Sequence, residues 1–296
     1  MSDPDTSPAD DMPVFGRIAI IGCGLIGGSL ALAARRRWTG ARVVGVDRPE
    51  VIATALRMQA VHAGGEDLSL AGDADLIVLA APVRQNNDLL QRLAGCVPGR
   101  ALVTDVGSTK VTTTAAAACL PDRLPFIGGH PLAGAASGGI DAATPELFVG
   151  RPWLLAADDS RADESIRNLE AFVTGIGAVA RRVTAESHDL LLAYLSHLPQ
   201  LAASALMHVV GEHAGARGLG LSGRGLRDTT RLATSPAEIW RDVAASNRDH
   251  VAAALDDFIA VLERMRRDLD DGAAIDTVFA SAARWKRILE TGHQDA

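Results

Sequence analysis

The sequence predicts an α/β fold, an N-terminal doubly wound sheet followed by an all-helical domain, on three observations. Strand-like and helix-like segments alternate from Arg17 to Val183. The first strand breaks into glycines that open a helix. From Thr184 strands vanish and long apolar helical segments take over. The expected domains are 15–183 for the sheet and 184–296 for the helices, after a disordered tail over 1–14 rich in Asp, Ser and Pro.

Each element follows from its pattern. Arg17 to Ile21 is an apolar strand, and Gly22, Gly24 and Gly27 give the spacing G-x-G-x-x-G before a helix-forming run from Leu30 to Arg37. The first glycine permits the turn, the second lets backbone approach a pyrophosphate, and the third lets helix pack on strand. This Rossmann-type turn would offer its free amides, those of Leu25 and Ile26 included, to a dinucleotide. A second strand, Arg42 to Val46, closes on Asp47, whose carboxylate suits ribose hydroxyls and repels a ribose phosphate. That argues for NAD; Arg48 beside it keeps NADP as the secondary expectation.

Pro49 to Gln59 reads as helix, Asp75 to Ala80 as a buried strand ended by Ala81 and Pro82, and Asn87 to Leu93 as the helix behind it. Ala101 to Val106 is the next strand, ending at Gly107-Ser108-Thr109-Lys110, where a helix starts. Phe126 to Pro131 and Pro152 to Ala156 are further strands, followed by a helix from Asp163 to Thr174 and a strand from Ala178 to Val183. Ligands of such sheets sit beyond the carboxyl ends of the strands. The strand exits at Gly22, Ala81–Pro82, Ser108 and His130 should therefore converge on one crevice.

In the helical domain, Glu186 to Glu212 reads as one long helix kinked by Pro199 and, being apolar through Leu190, Leu191, Tyr194, Leu195 and Leu206, as buried. Gly215 to Gly225 reads as a loop. Ser235-Pro236-Ala237-Glu238 has the form of a capping box, and the stretches around Val251 to Leu269 and Ile275 to Leu289 read as helices. A domain with such broad apolar faces predicts a homodimer.

Composition narrows the function classes. The 296 residues are 48% hydrophobic with net charge −7 and no block of like charge, so neither nucleic acid nor an anionic membrane is expected as partner. No signal peptide and no apolar run of about 18 residues is apparent. Cys23, Cys96 and Cys119 fit no disulfide framework and no metal spacing, which suggests the cytoplasm and no metal. Polar residues stand out at Ser108, His130, His197 and in the segment Arg224 to Arg231. Ser108 reads equally as a helix cap. His130, between a glycine and a proline at a strand exit, has little structural reason to be there. His197 is ambiguous, and His188, His208 and His213 read as surface or core residues. Composition does not choose among Arg224, Arg227 and Arg231 for an anionic ligand.

The same residues carry a family resemblance. Gly22-Cys23-Gly24-Leu25-Ile26-Gly27, Asp105-Val106-Gly107-Ser108-Thr109-Lys110, Gly129-His130-Pro131-Leu132-Ala133-Gly134, Ser196-His197-Leu198-Pro199 and Arg227-Asp228-Thr229-Thr230-Arg231 with Ile239-Trp240-Arg241-Asp242 occur in this order. Together they resemble the prephenate and arogenate dehydrogenases of tyrosine biosynthesis. The resemblance implies a nucleotide-binding domain, a helical dimerisation domain, and oxidative decarboxylation of prephenate or arogenate with hydride transfer to NAD. It implies His130 as the catalytic histidine, Ser108 as its orienting serine, Arg231 on the ring carboxylate and His197 nearer the substrate side chain. No mutase or regulatory segment is expected.

Where family members carry Thr or Ser and then Glu after His-Pro-x-Ala-Gly, this chain has Ala135 and Ala136, which leaves open prephenate, arogenate or an amino-substituted prephenate. A β-hydroxyacid dehydrogenase or imine reductase would have the same two-domain build, but the former presents a lysine in the interdomain helix, and Glu186 to Glu212 has none. A non-catalytic NAD-binding module is the alternative of a different class.

Overall fold

The computed structural model describes residues 12–135, 137–157 and 164–291. The expectations for residues 1–11, Ala136 and Asp163 lie outside them. Val14 packs against the core and Phe15 is buried against the edge of Phe172, so the tail expected through residue 14 gives way to packed chain before that point.

The strands are β1 (Arg17–Ile21), β2 (Arg42–Val46), β3 (Ala63–Gly65), β4 (Leu76–Leu79), β5 (Leu102–Asp105), β6 (Phe126–Pro131), β7 (Pro152–Ala156) and β8 (Val179–Val183). Among the described residues they form one sheet in the order β3-β2-β1-β4-β5-β6-β7-β8. Every neighbouring pair is parallel except β6 with β7, where His130 stands opposite Leu154 in an antiparallel register. The sheet half carries α1 (Leu25–Arg37), α2 (Pro49–Arg57), α3 (Val83–Cys96), α4 (Val111–Ala117) and α5 (Glu164–Gly175). Alternate strand residues point to opposite faces. Ile18, Ile20, Leu76 and Val78 join Leu30 of α1 and Phe172 of α5 in one core. Ala19, Ile21, Ile77 and Leu79 join Leu90 of α3 and Ala117 of α4 in the other, so the sheet is wound on both sides.

The expected elements shift in informative ways. α1 begins at Leu25, directly after the glycine turn, because its first turn contains Gly27 and Gly28, whose missing side chains allow tight packing. β3, a three-residue strand containing two glycines, gives no apolar pattern to read.

The helical part contains α6 (Ala185–Leu192), a π-helical turn over Ala193–His197, α7 (Leu198–Leu219), α8 (Arg224–Thr229), α9 (Ala237–Ser246), α10 (Arg248–Arg267) and α11 (Ala273–Thr291). The kink expected at Pro199 is realised as this widened turn just before it, where the missing proline N–H relaxes the backbone ladder. Of the glycine-rich loop expected from Gly215 to Gly225, the helix breaks at Gly215 (φ 59°), resumes as far as Leu219, and leaves residues 220–223 irregular before α8. The capping box does not form: Pro236 is the residue before α9, and the Ser235 hydroxyl donates to Gln200 Oε1 at 3.1 Å.

The leucine-rich helix is buried on one side only. Ala185, His188, Asp189, Leu192, Ala193, His197 and Gln200 form its inward stripe, while Leu190, Leu191, Tyr194, Leu195 and Leu206 are exposed. The polar residues are therefore inside and many leucines outside. The stretch Ala185–Leu219 is also long and apolar enough to cross a membrane by length and composition, where the sequence suggested no such run. The chain divides into two compact units, Met1–Asn247 and Arg248–Ala296. The first contains the sheet together with the helices from α6 to α9. Within the second, α11 exposes Phe279, Trp285 and Leu289.

Candidate active site

The glycine turn divides its labour as a dinucleotide loop requires. Gly22 has φ 98°, and a Cβ there would meet Ala80 and Ala81 backbone at 2.6–2.7 Å. A Cβ on Gly27 would lie 1.9 Å from Gly22 O, so this glycine lets α1 approach β1. A Cβ on Gly24 would meet nothing within 4 Å, and the backbone there, leading to the amides of Leu25 and Ile26, is open to a ligand. Asp47 is already anchored to the turn: its Oδ2 accepts from Cys23 N at 2.7 Å and its Oδ1 from Arg48 N at 2.7 Å. Arg48 faces solvent and pairs with Glu50 at 3.3 Å. Burial, with Asp47 beside it, pushes the Cys23 thiol up to about 12, which leaves it protonated and inert. The Ala81 amide is held by Asn86 Oδ1 at 3.2 Å, and Pro82 precedes α3. These residues fit a bound dinucleotide.

At the exits of β5 and β6, a second set of groups is buried. The Lys110 ammonium pairs with Asp105, both side chains fully buried. Asp105 also accepts from Gly107 N at 2.9 Å and Gly129 N at 3.0 Å, so one carboxylate ties together the backbone beside Ser108 and beside His130. Ser108 is half-buried and is not the cap of α4. That role falls to Asp189 of α6, which accepts from Lys110 N at 2.7 Å and Val111 N at 2.9 Å. Asp189 Oδ1 also bonds His188 Nδ1 at 2.7 Å, and His188 Nε2 lies 2.9 Å from His130 Nδ1. Asn247 donates to Asp189 O at 2.7 Å and stands 3.4 Å from His197 Nδ1. His197 packs against the edge of Trp240, and its Nε2 is buried without a hydrogen-bond partner.

Burial, aided by His188, Lys110 and His197, pushes His130 well below the ordinary histidine value. His197 falls to about 4, again chiefly by burial, with Asp189 opposing. Burial pushes Asp189 up, but the His188 hydrogen bond and the amides of Val111 and Lys110 outweigh it and hold the carboxylate below its usual value. Burial lowers Lys110, against the attraction of Asp105. At neutral pH His130 and His197 are thus uncharged imidazoles, and His130 is suited to accept a proton.

Two family models match the chain: the nucleotide-binding domain of prephenate dehydrogenase over residues 30–182, and the dimerization domain of prephenate dehydrogenase over residues 184–280. The chain belongs to the prephenate dehydrogenase family. It is 32% identical to the prephenate dehydrogenase of Bacillus subtilis, over 84% of this chain and 69% of that one. It is likewise 32% identical to the cyclohexadienyl dehydrogenase of Zymomonas mobilis, over 95% and 99% of the two. The solved prephenate dehydrogenase of Aquifex aeolicus, in complex with hydroxyphenyl propionate and NAD+, is similar at TM-score 0.84 and 26% identity over 93% of this chain and 98% of that one.

In this prephenate dehydrogenase family chain, hydrogen-bond contacts join His130 and His197 through His188, Asp189 and Asn247. Ser108 and Arg231 make no hydrogen bond to either histidine among the described residues. Arg231 is exposed and opens a 3₁₀ turn, Arg231–Thr234, that Gln200 Nε2 holds at Leu232 O (2.8 Å), so it is tethered to α7 just beyond His197. Arg224 is engaged with Asp228 at 3.3 Å. The sequence reading missed His188 and Asp189. Only the fold shows that these two share the inward stripe with His197 and Gln200.

Proposed function

We propose that the chain is an NAD-dependent prephenate dehydrogenase that converts prephenate to 4-hydroxyphenylpyruvate and carbon dioxide. Bound NAD+ supplies the hydride acceptor. Gly22, Gly24, Leu25, Ile26, Gly27, Ala81 and Pro82 would hold its pyrophosphate side, with Asp47 on the ribose. Asp47 sits within the turn and Arg48 is drawn to Glu50, which favours NAD over NADP.

The observation that carries the reading is a buried, neutral His130 at the end of β6. His130 takes the proton of the ring hydroxyl as the carbinol carbon gives up its hydride. Ser108, at the neighbouring strand exit, orients the hydroxyl and His130. Arg231 holds the ring carboxylate until it departs as carbon dioxide, without an acid that would quench it. The unpartnered Nε2 of His197 awaits a polar group, which the substrate side chain provides. Arogenate is the second reading, favoured by the likeness to a cyclohexadienyl dehydrogenase.

In this reading residues 15–183 bind the nucleotide and 184–296 complete the site and dimerise. The exposed Leu190, Leu191 and Leu195 supply apolar surface that a second copy would cover. The polar inward stripe of Ala185–Leu219 suits a packed helix of a cytoplasmic enzyme. The test is reduced-cofactor formation with prephenate and arogenate, each with NAD+ and NADP+. Turnover is expected with prephenate and NAD+; NAD+ binding without turnover of either substrate overturns the assignment.

A further inference from the structure

We propose that His188 and Asp189 are positioning residues that lock the tautomer of His130, so that its Nε2 is the lone pair facing the substrate hydroxyl. This rests on the proposed role of His130 as base. The chain of contacts is continuous: Asp189 Oδ1 to His188 Nδ1 at 2.7 Å, then His188 Nε2 to His130 Nδ1 at 2.9 Å, with His188 fully buried.

The direction of each hydrogen bond follows from the carboxylate. An ionised Asp189 has no proton to donate, so His188 Nδ1 donates to it. The relay places the one ring proton of His188 on Nδ1, so that its Nε2 accepts and His130 Nδ1 donates. The proton of neutral His130 is thereby spent on Nδ1 and its Nε2 is left free. When the substrate O–H breaks, the new N–H forms at His130 Nε2, and the Nδ1–H of the resulting imidazolium still points at His188. The negative charge two links away offsets the positive charge. Lys110, His197 and Asp105 are the other titratable groups near this chain.

Capping alone does not account for the arrangement. Asp189 caps α4 through the amides of Lys110 and Val111, a task that needs neither His188 nor its bond to His130. A buried histidine bridging a carboxylate to a second buried histidine is a costly feature that structure alone does not call for.

The test is a long-range 1H–15N spectrum of the full chain with 15N-histidine at a pH of about 8, with His130 identified by its loss in His130→Gln. His130 is expected to be protonated at Nδ1 in the wild type, to lose that preference in His188→Leu, and to keep it in His188→Gln, whose side-chain oxygen can accept in place of Nε2. With prephenate and NAD+, His188→Leu should lower kcat by about 10²- to 10³-fold with KM within about threefold, and His188→Gln should recover at least about tenfold. A wild-type His130 protonated at Nε2, an unchanged tautomer in His188→Leu, or a kcat within about threefold overturns the proposal. If His188→Leu does not fold, the wild-type and His188→Gln spectra decide. The spectrum needs no turnover, so Nδ1 protonation without activity would sink the dehydrogenase reading alone, and activity with Nε2 protonation would sink the relay alone.

Discussion

Replacing Lys110 by Met removes the cation from a pair in which both side chains are fully buried, and leaves the Asp105 carboxylate without its counter-charge. Breaking a buried pair by deleting one partner costs about 3–5 kcal/mol. Asp105 keeps two backbone donors, Gly107 N at 2.9 Å and Gly129 N at 3.0 Å, which places the loss near the lower end, at about 3 kcal/mol. For a folding unit of this size that corresponds to a drop in Tm of roughly 6–12 °C. Urea unfolding followed by circular dichroism, with thermal melts alongside, measures it. Lys110→Met combined with Asp105→Asn should recover about half of the loss, because no uncompensated charge remains. A single variant within about 1 kcal/mol of wild type, or a double variant no better than the single, would refute the reasoning.

Gly27→Ala places a Cβ 1.9 Å from Gly22 O and should destabilise the protein by about 1–3 kcal/mol, whereas Gly24→Ala, open on all sides, should leave the melt unchanged and weaken NAD+ binding in titration calorimetry; equal melts for the two would contradict the division of labour. His197, ordinarily near 6.5 but about 4 when folded, binds more protons unfolded, so its contribution of about 3 kcal/mol is fully present above pH 6.5 and lost as pH falls toward 4; unfolding across that window should steepen in the wild type and flatten in His197→Gln. Arg231→Ala should raise KM for prephenate about 10- to 100-fold while shifting stability by less than about 0.5 kcal/mol, since Arg231 is exposed; an unchanged KM would remove it from the carboxylate.

The sheet was legible because its strands are short apolar runs ended by glycine, proline or a polar residue, and the turn at Gly22 was legible because backbone geometry there leaves glycine no substitute. His130 stood out as a polar residue between a glycine and a proline at a strand exit. His188 and Asp189 did not, since the contacts that place them at the site, His188 to His130 and Asp189 to Lys110, span 58 and 79 residues and local pattern carries no record of such contacts. The leucines of α6 and the π-helical turn misled in the opposite sense: apolar content suggested burial, while the buried stripe is the one bearing His188, Asp189 and His197. Ser108 looked like a cap by type, yet α4 begins three residues later and takes its cap from elsewhere.

That borrowed cap has a consequence for how such a chain can be recombined. The two family-model halves meet between residues 182 and 184, which invites treating them as exchangeable cassettes. The carboxylate that terminates α4 in the first half is donated from the second, from 78 residues downstream of Val111. A chimera that swaps the helical half without an acid at the place of Asp189 would leave two amides of the nucleotide-binding half uncapped beside the proposed base. The seam between the halves falls where β8 ends at Val183, but the dependence between them runs through the first turn of a helix about seventy residues earlier in the chain, so inheritance of the two pieces is tied together at the site itself.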